Sequence, residues 1–299
     1  MEQAAAHRRT DGGDKGTLYV VGTPIGNLGD ITLRALEVLK NVDLVAAEDT
    51  RVTSRLLRHY GITAKLVALH EHNETRTTAP LLDMLGRGKS LALVSDAGTP
   101  GISDPGFRLA AAARTAGHRV SPIPGANAAV SALSASGICS AHFLFYGFLQ
   151  SRAGERRKEL AGLASYPFAL VFFEAPHRIL ESVADMADVL GAERQIVIAR
   201  ELTKLFEDIH SCLLGEAVDW LGAEDVRRKG ELVLVVAGAV PRVPEDESVQ
   251  RALEALLAEL PLKQAVSLAA KITGARRNRV YDMALAMAAR QSDAPSRKR

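Results

Sequence analysis

Cysteine, aromatic residues and long apolar runs are all scarce in this chain of 299 residues. With only two cysteines, Cys139 and Cys212, the chain can assemble neither a disulfide framework nor a cysteine-built zinc site, and it suits a reducing compartment. Aromatics are 5% of the residues, so the core must be aliphatic. No apolar stretch approaches the roughly 20 residues of a membrane-spanning helix. The polar N-terminal stretch lacks the apolar segment of a secretory signal. A global charge bias is missing too: 37 Lys and Arg stand against 35 Asp and Glu, so any basic surface must be local. These absences predict a cytoplasmic protein with no membrane partner.

What is present is a 47% hydrophobic composition, ample for a large core. Aliphatic runs at 18–21, 44–47, 66–69, 91–94 and 119–120 alternate with amphipathic stretches at 31–40, 51–60, 81–87 and 107–116. Strands alternating with helices predict a mainly parallel, open α/β sheet. The fourth helix has legible ends, with Asp104 as N-cap, Pro105 at the first helical position and Gly117 beyond the last turn. The small-residue stretch 126–140 reads as a closely packed helix and a connection. The pattern restarts with runs at 143–145, 169–173, 196–198 and 232–236, a second α/β domain. Pro241-Arg242-Val243-Pro244 and the acidic residues after it read as a linker. The expected organisation is a mobile tail (1–16), α/β domains at 17–138 and 139–240, and a linker with a helical module at 241–299.

That last module hides the basicity. From Pro261 onward Lys263, Lys271, Arg276, Arg277, Arg279, Arg290, Arg297, Lys298 and Arg299 face only Asp282 and Asp293. A helix at 263–270, a turn at Thr273-Gly274 and a helix from Arg276 outline a helix-turn-helix, which suits a polyanionic partner.

Several familiar motifs fail. Gly88-Lys89-Ser90 ends like a P-loop, but Asp83 occupies the first glycine position and the segment precedes its strand. The dinucleotide fingerprint is absent after the first strand. His70-Glu71-His72 lacks metal-ligand spacing, and no metal is expected. What survives is three glycine- and proline-rich loops, at 22–29, 95–106 and 121–127, each following a strand. Ligands of open α/β sheets sit beyond the carboxyl ends of the strands, where glycine lets main-chain N–H groups approach them. Asp96, directly off a strand, is placed to accept hydrogen bonds from a ligand. A second constellation is charged: Glu48-Asp49-Thr50-Arg51, Glu174-Ala175-Pro176-His177-Arg178, Arg200-Glu201-Leu202-Thr203-Lys204 and Lys229-Gly230-Glu231 all lie at strand ends.

Gly22-Thr23-Pro24-Ile25-Gly26-Asn27-Leu28-Gly29-Asp30, Ala47-Glu48-Asp49-Thr50-Arg51, Ser95-Asp96-Ala97-Gly98-Thr99-Pro100, Pro122-Ile123-Pro124-Gly125 and Glu174-Ala175-Pro176-His177-Arg178 together resemble the ribosomal RNA small subunit methyltransferase I group of the tetrapyrrole (corrin/porphyrin) methylase superfamily. The resemblance spans residues 17–285. It implies two α/β domains with S-adenosylmethionine in the cleft between them. It also implies 2′-O-methylation of a cytidine ribose in the decoding region of bacterial 16S rRNA, within the small ribosomal subunit, and a homodimer. By the same resemblance Pro24, Asp96, Gly98, Thr99, Ile102 and Ser103 hold the methionine and ribose portions. Pro124, Gly125, Ala126, Phe173, Leu202 and Val233 enclose the rest. Asp49, Glu174 and Glu231 are candidate bases, with Arg51 or Lys204 steadying the acceptor oxygen or a phosphate. Arg178, Lys271, Arg276, Arg277 and Arg279 are expected on RNA. Two readings compete: a precorrin-type tetrapyrrole C-methyltransferase, and a non-catalytic nucleic-acid-binding regulator led by the helix-turn-helix.

Overall fold

Five short strands, β1 (Thr17–Val21), β2 (Leu44–Ala47), β3 (Leu66–Ala68), β4 (Leu91–Val94) and β5 (Arg119–Ile123), pair in parallel in the order β3-β2-β4-β1-β5. They belong to a computed structural model that describes residues 16–138, 141–240 and 246–292. Most of the expected tail, Cys139, the Pro241-Arg242-Val243-Pro244 linker and the terminal cations Arg297, Lys298 and Arg299 lie outside the described residues. A parallel sheet must be covered on both faces, so its strands read as continuous apolar runs. β4 shows the rule. Ala92 and Val94 pack with helices α1 (Leu33–Asn41) and α2 (Thr50–His59), while Leu91 and Leu93 pack with α3 (Glu74–Gly86) and α4 (Phe107–Thr115).

α3 begins seven residues before the expected 81–87, because Pro80 lies inside the helix and reads in sequence as a boundary. The start of α4 also corrects the expectation. Its N-cap is Gly106 (φ 120°), not Asp104, and Pro105 precedes the helix. The cap comes from elsewhere in the chain: Glu74 Oε1 accepts the N–H groups of Gly106 (3.1 Å), Arg108 (3.0 Å) and Leu109 (3.2 Å). A buried carboxylate thus satisfies the open donors of a helix N-terminus, and Asp104 is left for other work.

α5 (Ala128–Ala135) follows, capped by the Asn127 side chain, which accepts the Val130 N–H at 3.1 Å. The second sheet comprises β6 (Phe143–Phe148), β7 (Ala169–Glu174), β8 (Gln195–Arg200), β9 (Asp208–Leu213) and β10 (Leu232–Val236), in the order β6-β7-β10-β8-β9. It is mixed: β6 and β7 are parallel, and β10 runs antiparallel to both its neighbours. α6 (Ala153–Leu163), α7 (Ile179–Leu190) and α8 (Leu214–Ala223) cover one face. Val171, Val197, Ala199, Val233 and Val235 point to the other, where they meet Ala129 and Ala132 of α5 and Ile25 from the loop after β1. That second layer holds the site.

Both sheets lie in one compact unit, Met1–Ala239; the other unit is Val240–Arg299. The latter is a helical trio, α9 (Asp246–Leu257), α10 (Leu262–Thr273) and α11 (Arg277–Ser292), around Val249, Leu253, Val266, Ala269, Val280 and Ala284. The acidic stretch expected to be linker instead opens α9, whose apolar residues recur at helical spacing. Gly274 (φ 71°) ends α10 in the left-handed conformation, and its N–H donates to Ala270 O.

Candidate active site

The loops after β1, β4 and β5 are neighbours because those three strands are adjacent in the sheet, and main chain stitches them together. Thr23 N–H donates to Gly98 O (2.8 Å) and Gly98 N–H to Thr23 O (3.1 Å). The Thr23 hydroxyl reaches Ser95 O at 3.2 Å, and the Thr99 hydroxyl reaches Ala126 O at 3.3 Å. Gly22 and Gly125 meet back to back: a Cβ on Gly125 would stand 2.8 Å from Gly22 O, and one on Gly22 would stand 2.8 Å from Gly125 Cα. Gly125 therefore lacks a side chain for packing between loops.

Between this platform and the second sheet lies a cavity of about 360 Å³, within the range of small-ligand sites, about 300–1,000 Å³. Ile25, Gly98, Thr99, Ile102, Ser103, Asp104 and Asn127 line it from the first half; Phe148, Phe173, Glu174, Leu202, Glu231 and Val233 line it from the second. Its floor is apolar and its polar groups are few, the usual make-up of a specific small-molecule site. Three lining residues are carboxylic, and among the described residues no Lys or Arg lines the cavity.

Glu174 ends β7 with a fully buried side chain. Its Oε1 accepts Arg178 Nε at 2.5 Å and the Ala175 N–H at 2.7 Å. Oε2 is buried with no hydrogen-bond partner. A buried carboxylate oxygen without a partner is a costly feature.

At the rim, Lys204 Nζ bridges Glu201 Oε1 and Glu231 Oε2, each at 2.7 Å. Burial works against the Lys204 ammonium, but the two carboxylates outweigh it and raise its pKa; the Lys204 hydrogen bond in turn lowers that of Glu201. The bridge is held in an unusual turn, with Glu201 at φ 52° and Thr203 at φ 67°. Non-glycine residues in that region store strain, which clusters at functional sites. Glycine makes room for it, since a Cβ on Gly26 would meet Lys204 Cγ at 2.6 Å.

A second acidic group lies at the ends of β2 and β4. Glu48 Oε2 accepts the Asp96 N–H at 3.2 Å, and Asp96 Oδ1 accepts the Asp49 N–H at 3.0 Å. Burial raises the pKa of both Glu48 and Asp96. Asp49 goes the other way, down to about 2, chiefly through the Arg51 side-chain hydrogen bonds. Asp104 is pushed up to about 6 by burial first, then by Glu48.

Of the residues expected at the site, Gly98, Thr99, Ile102, Ser103, Phe173, Glu174, Leu202, Glu231 and Val233 share this cavity wall. Pro24, Asp96, Pro124, Gly125 and Ala126 are in the adjoining loops but not in the lining. Asp49 and Arg51 form an ion pair at 2.6 Å outside it, and Lys204 reaches it through Glu231. Arg178 is largely buried on Glu174 and so positions that carboxylate. Lys271, Arg276 and Arg277 are exposed around the α10–α11 turn, and Arg279 is half-buried. The expectation overlooked Ile25, Asn127, Phe148 and Asp104. The first three carry no chemical signature, and Asp104 was absorbed by its resemblance to a helix cap.

Comparison with known proteins bears on the same geometry. Residues 17–218 match the tetrapyrrole (corrin/porphyrin) methylases, and residues 243–288 match the RsmI C-terminal HTH domain. The chain is 52% identical over 275 residues to the ribosomal RNA small subunit methyltransferase I of Pseudomonas aeruginosa, covering 90% of this chain and 97% of that one. The Escherichia coli O157:H7 protein of the same name is 50% identical over 282 residues, covering 93% and 98%. Among solved structures, a uroporphyrin-III C-methyltransferase from Thermus thermophilus, complexed with S-adenosylhomocysteine, aligns with a TM-score of 0.54 at 17% identity, over 74% of this chain and 97% of that one. At that identity the likeness carries the fold alone.

Proposed function

The chain belongs to the tetrapyrrole methylases and, among them, to the ribosomal RNA small subunit methyltransferase I family, and on that footing we propose that it transfers a methyl group from S-adenosylmethionine to 16S rRNA of the small ribosomal subunit. The acceptor in this reading is the 2′-oxygen of a cytidine ribose in the decoding region, and the enzyme works as a homodimer in the cytoplasm. The observation that carries the site assignment is the cavity, apolar on its floor, with Asp104, Glu174 and Glu231 in its lining and no Lys or Arg among the described lining residues.

The donor set fits S-adenosylmethionine. Apolar residues (Ile25, Phe148, Phe173, Leu202, Val233) suit an adenosine, and acid without cation suits a ligand bearing positive charge. When bound, the cofactor supplies an electrophilic methyl carbon. The chain's residues do the rest. The platform loops fix the ligand so that the acceptor oxygen can stand in line at about 3 Å. Glu174 is the base assigned to the proton that a ribose hydroxyl must lose as the C–O bond forms, with Arg178 holding its carboxylate and the acceptor required to open the buried side chain. Lys204, tied to Glu201 and Glu231, stands at the rim where the acceptor's phosphates would pass. Lys271, Arg276, Arg277 and Arg279 contact RNA phosphates.

The test is incubation of the purified protein with radiolabelled S-adenosylmethionine and, in parallel, unmethylated small subunits, naked 16S rRNA and a tetrapyrrole, with the modified nucleoside identified by mass. Label in 2′-O-methylcytidine supports the reading. Label in the tetrapyrrole alone overturns it.

A further inference from the structure

The charge of the cavity is one-sided, and its three carboxylic residues are not equally satisfied. Glu231 is tied to Lys204 at 2.7 Å and Glu174 Oε1 to Arg178 at 2.5 Å. Among the described residues no cation pairs with Asp104. Its neighbours are the Ser95 hydroxyl and two further acids at the strand ends, Glu48 and Asp96; Glu174 and Glu231 line the same cavity.

Ser103, immediately before Asp104, sits at φ 65°, a strained conformation for a residue with a side chain. With the α4 cap taken over by Glu74, nothing about the helix requires an acid at position 104. A half-buried carboxyl among like charges is unfavourable unless a positive group arrives beside it.

Resting on the cofactor reading above, we propose that Asp104 is the counter-charge for the positively charged methionine portion of S-adenosylmethionine, while the apolar wall holds its uncharged part. Asp104 is then a binding residue for the donor and sets its preference by charge. Since burial and the neighbouring Glu48 lift its pKa to about 6, donor binding near that pH drives a proton off Asp104.

The test is titration calorimetry of the full chain and of Asp104→Asn with three ligands: S-adenosylmethionine (sulfonium and ammonium), S-adenosylhomocysteine (ammonium only) and 5′-methylthioadenosine (neither). The expected result is loss of donor affinity on the order of tenfold in Asp104→Asn, with 5′-methylthioadenosine unchanged. The by-product assigns the contact: if it weakens alongside the donor Asp104 meets the ammonium, and if it does not Asp104 meets the sulfonium. At pH 6, heats measured in buffers of different ionisation enthalpy should show proton release on donor binding by the wild type and none by the variant. Equal loss of donor and 5′-methylthioadenosine would make Asp104 a structural residue of its loop, and an unchanged donor affinity would remove its role; either overturns the proposal. Failure of the wild type to bind any of the three overturns the cofactor reading itself.

Discussion

Glu174 has two oxygens in different states, one hydrogen-bonded twice and one bare, and the difference decides what replacement should do. In Glu174→Gln the amide oxygen can still face Arg178, but the other position becomes a donor that cannot take a proton. Single-turnover methylation is expected to fall by about 10²–10⁴-fold, with S-adenosylmethionine affinity nearly unchanged; a fall in affinity alone would make Glu174 a binding residue. Asp104 is expected to leave a mark on stability as well. Its pKa is raised in the folded state to about 6, so its contribution is full below the unfolded value near 4 and is lost as pH rises through 6. Thermal melts of wild type and Asp104→Asn should diverge across that window, the wild type losing ground as pH rises. Asp49 has the opposite sign, since its pKa is depressed to about 2 by Arg51 and its contribution fades only in strong acid.

At the scale of elements, α4 depends on a side chain borrowed from α3. Glu74→Ala strips the acceptor from three N–H groups and should cost about 2–3 kcal/mol in urea unfolding; Glu74→Gln, which keeps an amide oxygen, should recover part of that. The same contact shows where sequence stops being legible. The central strands of the first sheet could be read because their apolar runs are unbroken, as at the fully buried Leu91, Ala92, Leu93 and Val94; β5 was legible only at 119–120, because Ser121 and Pro122 break its run. β9 could not be read. One of its faces is open, and its DIHSCL pattern alternates half-buried and exposed positions around His210 and Ser211. The α4 cap was misread because Asp104-Pro105 satisfies the local rule, while the group that does the capping is about thirty residues away in sequence. The site divides in the same way. Glu174 and Glu231 announced themselves at strand ends, whereas Asp104 was hidden by its likeness to a helix cap and Ile25 and Phe148 became lining only through the packing of two sheets.

At the scale of the whole molecule, two compact units carry two kinds of chemistry: the larger holds the cavity, the smaller a basic helical trio. Arg276→Ala with Arg277→Ala is expected to reduce the slope of log affinity against log salt for 16S rRNA by about 1.5 while leaving S-adenosylmethionine affinity as it was; filter binding across a salt series checks the first and calorimetry the second. An unchanged slope would place the RNA elsewhere. The contact between Gly22 and Gly125 has a consequence of another kind. There the platform beneath the cavity is main chain against main chain, 2.8 Å from where either Cβ would fall, so no side chain is available to be trimmed or enlarged in small steps. Mutation at either position is all or nothing, and gradual evolutionary drift in what the cavity accepts must run through the replaceable side chains opposite, such as Phe148 and Leu202.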